Sequence, residues 1–548
     1  MRAVAALPLI LALGCATSSG AGGGANPDGG AGTGGGGGTS PIDAGFDDCK
    51  SLAAPNSYIG CEYWPTVTSN AFLTDGFAFA VVVSNAEPKP AQVEVTRGGT
   101  AVAEKLVAPG DVAVIALPWV EALKNDPTSI MDYHSGIFPA AAYHLRSSVP
   151  VTVYQFNPLE FAIDPAPADC LIQSGGVCKS STNDASLLLP KSALAGEYYV
   201  LSYPSHLGNY GATSVFPKTG WHALPGFASV VATEDGTTVE VTAGGKVRAG
   251  QGVPALEPGQ TASFSLNAGD VLSLLSEAPT PAEASCTGNV CTGGELFDLT
   301  GTRINANKPV SVIAGHDCTM VPYDKNACDH LEESMLPVQS LGKEVIAAPP
   351  IPLLAAAGSG FAAEAYYLRV LSAADDNLVF VSSDVDQQLT LGAGQWVEVG
   401  PLQGHARVIA QNKILVAQYL VGQEASAVGA LAGDPSQTTL VPIEQYRKEY
   451  AFYVPQTFRQ SFLDVLSVGY PVAQLDGVPI PKDDFKIAVT YANGQEEPRV
   501  AARLPVEPGL HRLTGDLPVG LNVYGYGDYT SYAYPGGLEL APIVITPR

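Results

Sequence analysis

One phrase recurs four times and constrains the fold more than any other feature. It is a β-like segment, a short polar turn, often Pro-Val, and a second β-like segment. The copies run from Ala142 to Gln155, Thr302 to Ile313, Ala406 to Tyr419 and His511 to Tyr524. A proline at the turn fixes φ before the next strand begins. Three copies follow a shared cue, Pro109-Gly-Asp-Val, Ala268-Gly-Asp-Val or Ala393-Gly-Gln-Trp. Further upstream lie pairs of alternating segments: Phe77–Val83 with Gln92–Val95, Ala228–Ala232 with Thr238–Val241, and Tyr367–Leu371 with Leu378–Val381. Glu234-Asp235-Gly236-Thr237 joins the second pair in the manner of a hairpin connection, because Asp-Gly tolerates positive φ. Helical periodicity is nearly absent; Val120–Lys124 is long enough for a turn or two.

The chain is therefore expected to be all-β, with four tandem repeats of about five strands each. Sandwich-like modules are expected, with propeller-like closure as the alternative. The expected modules are 49–190, 191–340, 341–445 and 446–548, the first two carrying Cys-stapled loops.

The N-terminus reads as an export signal. Arg2 supplies positive charge and Val4–Leu13 form an apolar stretch too short to span a bilayer. It ends in Leu11-Ala12-Leu13-Gly14-Cys15, which resembles the bacterial lipobox, with Ala12 where that pattern prefers Leu. Residues 1–15 are expected to be a lipoprotein signal peptide, Cys15 the lipidation site, and 16–48 a disordered Gly-rich tether. The expected location is the outer membrane or cell surface, with membrane contact through the N-terminal lipid alone. Net charge is −25, with 53 acidic against 28 basic residues, a balance that works against nucleic acid as a partner.

Nine cysteines minus Cys15 leave eight, an even number for an oxidising compartment. Proximity along the chain suggests Cys49–Cys61, Cys170–Cys178, Cys286–Cys291 and Cys318–Cys328.

Several strings go beyond generic β chemistry: Val151–Pro158, Asn183–Pro190, Asp298–Gly301, Gly315–Cys318, Cys328–Glu333, Gly433–Ser436 and Tyr532–Gly537. Together they resemble the N-terminal domain of the IgG-Fc-binding protein family, over residues 62–540. The resemblance implies a binding role without catalysis, with a protein, glycoprotein or glycan ligand and an adhesion function. No cofactor is implied. The alternative is an exported hydrolase acting on glycans through loop carboxylates.

The sharpest constellation is His316-Asp317-Cys318 followed by Cys328-Asp329-His330. Two Cys and two His in mirrored pairs suit tetrahedral zinc, at His316, Cys318, Cys328 and His330. Thiolates must be reduced to bind metal, so the preferred reading is a disulfide with the histidines in polar contacts. A further option is metal at His316, Asp329, His330 and Glu332 beside that disulfide. Segments 161–190 and 314–337 interrupt the repeat and hold four of the eight cysteines. They are expected to lie together as surface loops, with His316, Asp317, Asp329, His330, Glu332 and Glu333 contacting a ligand.

Other motifs read more plainly. Ser186 beside Asp184 lacks a nucleophile elbow, and Asn183-Asp184 reads as a turn before a buried strand. Gly433-Asp434-Pro435-Ser436 reads as a turn, and Asp375, Asp376, Asp384 and Asp386 as solvated turns rather than calcium ligands. Tyr524/Tyr526 and Tyr532/Tyr534 are spaced by two, which suits core packing along strands.

Overall fold

The computed structural model describes residues 46, 49, 54 and 56–544, apart from 72, 74–75, 126–132, 171, 181, 212–219, 326, 354–362, 385, 427–432 and 490–495. The signal segment, Cys15 and nearly all of the tether lie outside the described residues. The regular structure of the rest is almost all strand, arranged in seven sheets. Glu121–Lys124 forms a single helical turn where one was expected.

The recurring phrase builds one long strand in three of its four copies: Tyr143–Asn157, Arg303–Thr319 and Gly509–Gly527. The expected polar turn is a bend inside that strand, which passes from one β-layer to another. Tyr143–Ser147 pairs with Val93–Arg97, and Thr152–Phe156 with Ala80–Ser84. Arg303–Ala306 pairs with Val239–Thr242, and Val310–His316 with Gly226–Ala232. Leu513–Gly515 pairs with Ala473–Leu475, and Val519–Tyr526 with Gln460–Ser467. Proline donates no N–H to a ladder, so the bend falls at Pro150, Pro309 and Pro518. The third copy has no proline there and divides into Ala406–Ala410 and Ile414–Leu420, each in a separate four-stranded sheet.

This crossing corrects the expected hairpins. Phe79–Asn85 pairs with Asp111–Leu117, while Ala91–Arg97 pairs with Thr100–Val107. Gly226–Ala232 and Thr237–Thr242 flank the same long strand without pairing to each other. Tyr366–Ser372 and Asn377–Ser382 stand in different sheets. The connection through Gly236, at φ +64°, is thus an arch between two halves of the long strand's track, not a hairpin.

A tyrosine secures each bend. Tyr63 Oη accepts from Gly60 N (2.8 Å) and donates to Val151 O (2.5 Å). Tyr198 accepts from Ala195 N and donates to Val310 O (2.8 Å). Tyr450 accepts from Arg447 N and donates to Val519 O. Each hydroxyl meets the carbonyl just after the proline, where the paired register slips.

The two layers enclose apolar cores in which alternate residues point inward, as in Val93, Val95, Leu145, Val151 and Val153. A larger cluster runs from Tyr58 through Val230, Val312, Tyr419 and Phe452 to Leu540, so successive parts of the chain share one interior. Charged pins reinforce these joints. Arg369, 2% exposed, donates to Asp298 Oδ2 (2.5 Å), Glu398 Oε2 (3.0 Å), Thr300 Oγ1 and Ser202 O, and its guanidinium lies over Tyr203 and Trp396. Glu344 takes both Arg407 and the fork of Arg499.

A closed ring of inner strands and the candidate functional site

Each track feeds one further short strand: Asp184–Leu187, Asp329–Ser334, Ser436–Thr439 and Thr530–Pro535. The first packs against the second, the second against the third, the third against the fourth, and the fourth against the first. All four are buried along their whole length. The local sequence allows this close approach. A Cβ at Gly315 would lie 1.7 Å from Leu331 O, and Gly433, at φ +79°, backs onto the Tyr526 ring. Only glycine fits both demands.

Asp184 is the hub of this ring. Its carboxylate accepts from Glu332 N (3.0 Å) on the second strand and from Ser436 Oγ (2.7 Å) and Gln437 N (3.2 Å) on the third. It also accepts from Ala533 N (3.3 Å) on the fourth and from its own neighbour Ala185 N (2.9 Å). Burial pushes its pKa well above the usual carboxylate range, opposed by those donors. Asp184 is thus the first residue of an inner strand rather than a turn residue. Ser186 donates to Glu332 Oε1 and serves the same interior.

The six polar residues expected on the surface surround this hub, and each is 0–1% exposed. Glu332 accepts from Thr68 Oγ1 (2.5 Å), Gln155 Nε2 (2.9 Å) and Asn157 Nδ2 (3.3 Å), with His330 Nε2 at 3.6 Å. His330 stacks on Phe227. Asp329 accepts from Thr530 Oγ1 and Ser531 N, and Asp317 from Ser69 Oγ. Glu333 accepts from Ser334 N, and His316 Nε2 meets Pro204 O (3.1 Å). Desolvation raises Asp317 to about 6, lifts Asp329 and Glu333 well above their normal range, and holds His316 well below its own. Segments 161–190 and 314–337 do meet, as expected. Their named polar side chains bind backbone N–H groups and hydroxyls inside the joint instead of facing solvent, which corrects the expected surface role.

All four expected disulfides are present: Cys49–Cys61, Cys170–Cys178, Cys286–Cys291 and Cys318–Cys328. Oxidised sulfur removes the thiolates that zinc at His316, Cys318, Cys328 and His330 would need. Among the described residues no three His, Cys, Asp or Glu are grouped to hold a metal, which also counts against His316, Asp329, His330 and Glu332. Asp384 braces Gln403 N and Gly404 N, and Asp375 braces Ala393 N, as turn residues do. Tyr524, Tyr526, Tyr532 and Tyr534 are buried core.

Above the ring, the connections leading into the inner strands converge at one end. Lys179 reaches Asp528 (3.6 Å), and Phe161 packs on Phe458. Gly433 N donates to Gly527 O, and Gly422 N to Val321 O. Cys170–Cys178 and Cys318–Cys328 staple two of these connections. Asp324 and Glu424 stand exposed on them, with Lys179 and Asp528 part-exposed.

Of the strings noted for their family resemblance, Asn183–Pro190 and Cys328–Glu333 carry the first and second ring strands, Gly433–Ser436 leads into the third and Tyr532–Gly537 covers most of the fourth, while Asp298–Gly301 supplies two partners of Arg369. A family model described as IgGFc binding protein matches residues 184–525, beginning on Asp184 itself. The chain belongs to the IgGFc-binding protein family. The human IgGFc-binding protein is 29% identical over 178 residues, covering 32% of this chain and 2% of its own length. The chain thus matches only a small part of that relative. Among solved structures, a GH78-family rhamnosidase of Bacillus sp. GL1 aligns over 87% of this chain and 55% of its own. Identity there is 9% and the TM-score 0.11, too low to carry an argument.

Proposed function

We propose that this chain is a lipid-anchored binding protein of the bacterial cell surface, with four modules closed around the inner ring. Its ligand-facing surface is the crown of connections above that ring. The observation that carries this reading is the convergence of those connections, two of them disulfide-stapled, on a scaffold whose ring strands are fully enclosed. Loops held by a rigid scaffold are where binding residues concentrate, and a stapled loop loses less entropy on binding. Family membership supports a protein partner, and the Gly14-Cys15 junction supports the anchor. The glycan component of a glycoprotein is a compatible target.

Capture from surface extracts on the immobilised protein tests this. Asp324→Lys on the crown is expected to abolish capture while leaving Tm unchanged, and Lys179→Glu, which also breaks the ion pair with Asp528, to abolish it with a small loss of Tm. Asp317→Asn in the interior is expected to lower Tm while leaving capture intact. Capture that survives both crown changes would send the search for the ligand elsewhere on the molecule.

A further inference from the structure

The outermost part of the C-terminal track carries a second surface, remote in sequence from the inner strands. Ten large hydrophobic residues are strongly exposed among the described residues, and five of them fall between 470 and 517: Tyr470, Val472, Val478, Ile487 and Leu517. Val472 and Leu517 are held together, since Val472 N donates to Asp516 Oδ1 (2.7 Å) and Asp516 N donates back to Val472 O. Of the five, Val478 lines a groove of about 430 Å³, walled with it by Leu475, Pro479, Leu504 and Val506. Monomeric surfaces rarely gather apolar side chains in this way without a partner.

Two features describe that partner. The first is an available backbone edge. Arg499–Val506 pairs along one side with Ser461–Val468. On its other side the strand Lys486–Val489 pairs with residues 499–501, and the 3-10 turn Lys482–Asp484 packs against the same strand just beyond them. No described strand pairs with Leu504, Pro505 or Val506 there, and these three residues line the groove. The second is charge. The groove lining includes Asp476 and Glu507 and contains no Lys or Arg. His511 is already held between Asp476 Oδ2 (2.7 Å) and Glu507 O (2.7 Å), and Asp476 Oδ1 accepts from Arg512 N, so Asp476 is committed and Glu507 is the carboxylate left to the groove. A net charge of −25 also sets a second copy of the chain against itself.

We infer that this groove docks an extended, basic and apolar segment of another protein. The segment lies along the 504–506 edge, places alternate apolar side chains on Val478 and Pro479, and directs a Lys or Arg to Glu507. This is strand addition, in which main-chain hydrogen bonds give affinity and the groove gives selectivity. The inference does not rest on the crown: either surface stands if the other fails.

The probe is a fluorescent peptide of about eight residues alternating valine and lysine, titrated against the full chain and followed by anisotropy. A matched peptide with glutamate for lysine is the control. Saturable binding of the basic peptide is expected, weakened about tenfold by either Val478→Asp or Glu507→Lys, with no binding of the acidic peptide. Both substitutions lie on the surface, and an unchanged Tm confirms that the fold is intact. Amide hydrogen exchange is expected to slow at Leu504 and Val506 when the basic peptide is bound. Equal binding of the two peptides, indifference to both substitutions, or no binding would overturn the proposal. A concentration-dependent dimer abolished by Val478→Asp would overturn it in favour of a second copy.

Discussion

Asp184→Asn is the substitution that most directly tests the ring. An amide keeps one oxygen and turns the other position into a donor. If the NH2 takes the Oδ2 side, it faces Glu332 N and Gln437 N; on the Oδ1 side it faces Ala185 N and Ala533 N. Ser436 can rotate its hydroxyl to compensate, but a backbone N–H cannot, so two buried donors lose their acceptor in either orientation. Each such loss costs about 1–3 kcal/mol, so the total is about 4 kcal/mol. That is a large share of the roughly 5–15 kcal/mol by which folded chains are stable. Equilibrium denaturation in guanidinium, followed by far-UV circular dichroism, should show a lower midpoint at an unchanged slope. Ser436→Ala removes a single donor whose loss leaves Asp184 four others, and is expected to cost about 1 kcal/mol. A loss below about 1 kcal/mol for Asp184→Asn would refute the idea that this carboxylate ties the inner strands together.

Three further outcomes are expected. Burial raises Asp464 to about 8, whereas desolvation lowers the buried His206 and the half-buried His405 to about 4. The histidines stay neutral above pH 6.5, so from pH 6.5 to 8 the folded chain keeps protons on Asp464 that the unfolded chain has lost. Stability should therefore fall as pH rises through that window, and Asp464→Asn should lessen the fall, Asp184, Asp329 and Glu333 keeping their share, and add several kcal/mol by pH 9, read from denaturation midpoints. Arg369→Lys keeps the charge but loses the guanidinium fork between Asp298 and Glu398 and its aromatic contacts, and should cost roughly 3 kcal/mol in the same assay. Cys15→Ser should move the protein from the detergent-extracted membrane fraction into the medium, and retention in the membrane would count against the lipid anchor.

The all-β class, the four disulfides and the positions of the recurring phrase were legible because each has a local signature: period-two burial, close cysteine pairs, a proline at fixed phase. The pairing of the strands was not. Alternation says which face of a strand is buried, but not whether the next segment returns beside it or arches across to the other layer. A further signal was readable yet passed over. The bends at Pro150, Pro309 and Pro518 are each matched by a strand carrying Glu-Tyr, at Glu62-Tyr63, Glu197-Tyr198 and Glu449-Tyr450. The third copy lacks both the proline and the tyrosine, reading Glu344-Val345, and there the long strand divides. The two losses belong together, since the hydroxyl has a carbonyl to receive it only where a proline bends the strand.

The burial of the six candidate residues has a more general cause. His, Asp and Glu packed into two short strings beside a disulfide look like ligand-binding chemistry, because isolated charges are costly to bury. The ring evades that cost collectively: backbone N–H groups of neighbouring strands end on Asp184, Asp329 and Glu333, and side-chain donors end on Glu332. One sequence shows the acceptors but not the donors, which are main-chain atoms brought from as far away as residue 533. Four of the strings that carry the family resemblance run into this ring. It follows that a relative can share them while binding something different, because the crown and the C-terminal groove are made largely of residues outside those strings. Ligand identity should track Lys179, Asp324, Val478 and Glu507 rather than His316 or His330. Exchanging the crown segments between two members with different ligands is expected to exchange the ligands. Exchanging the inner strands is expected to change stability alone.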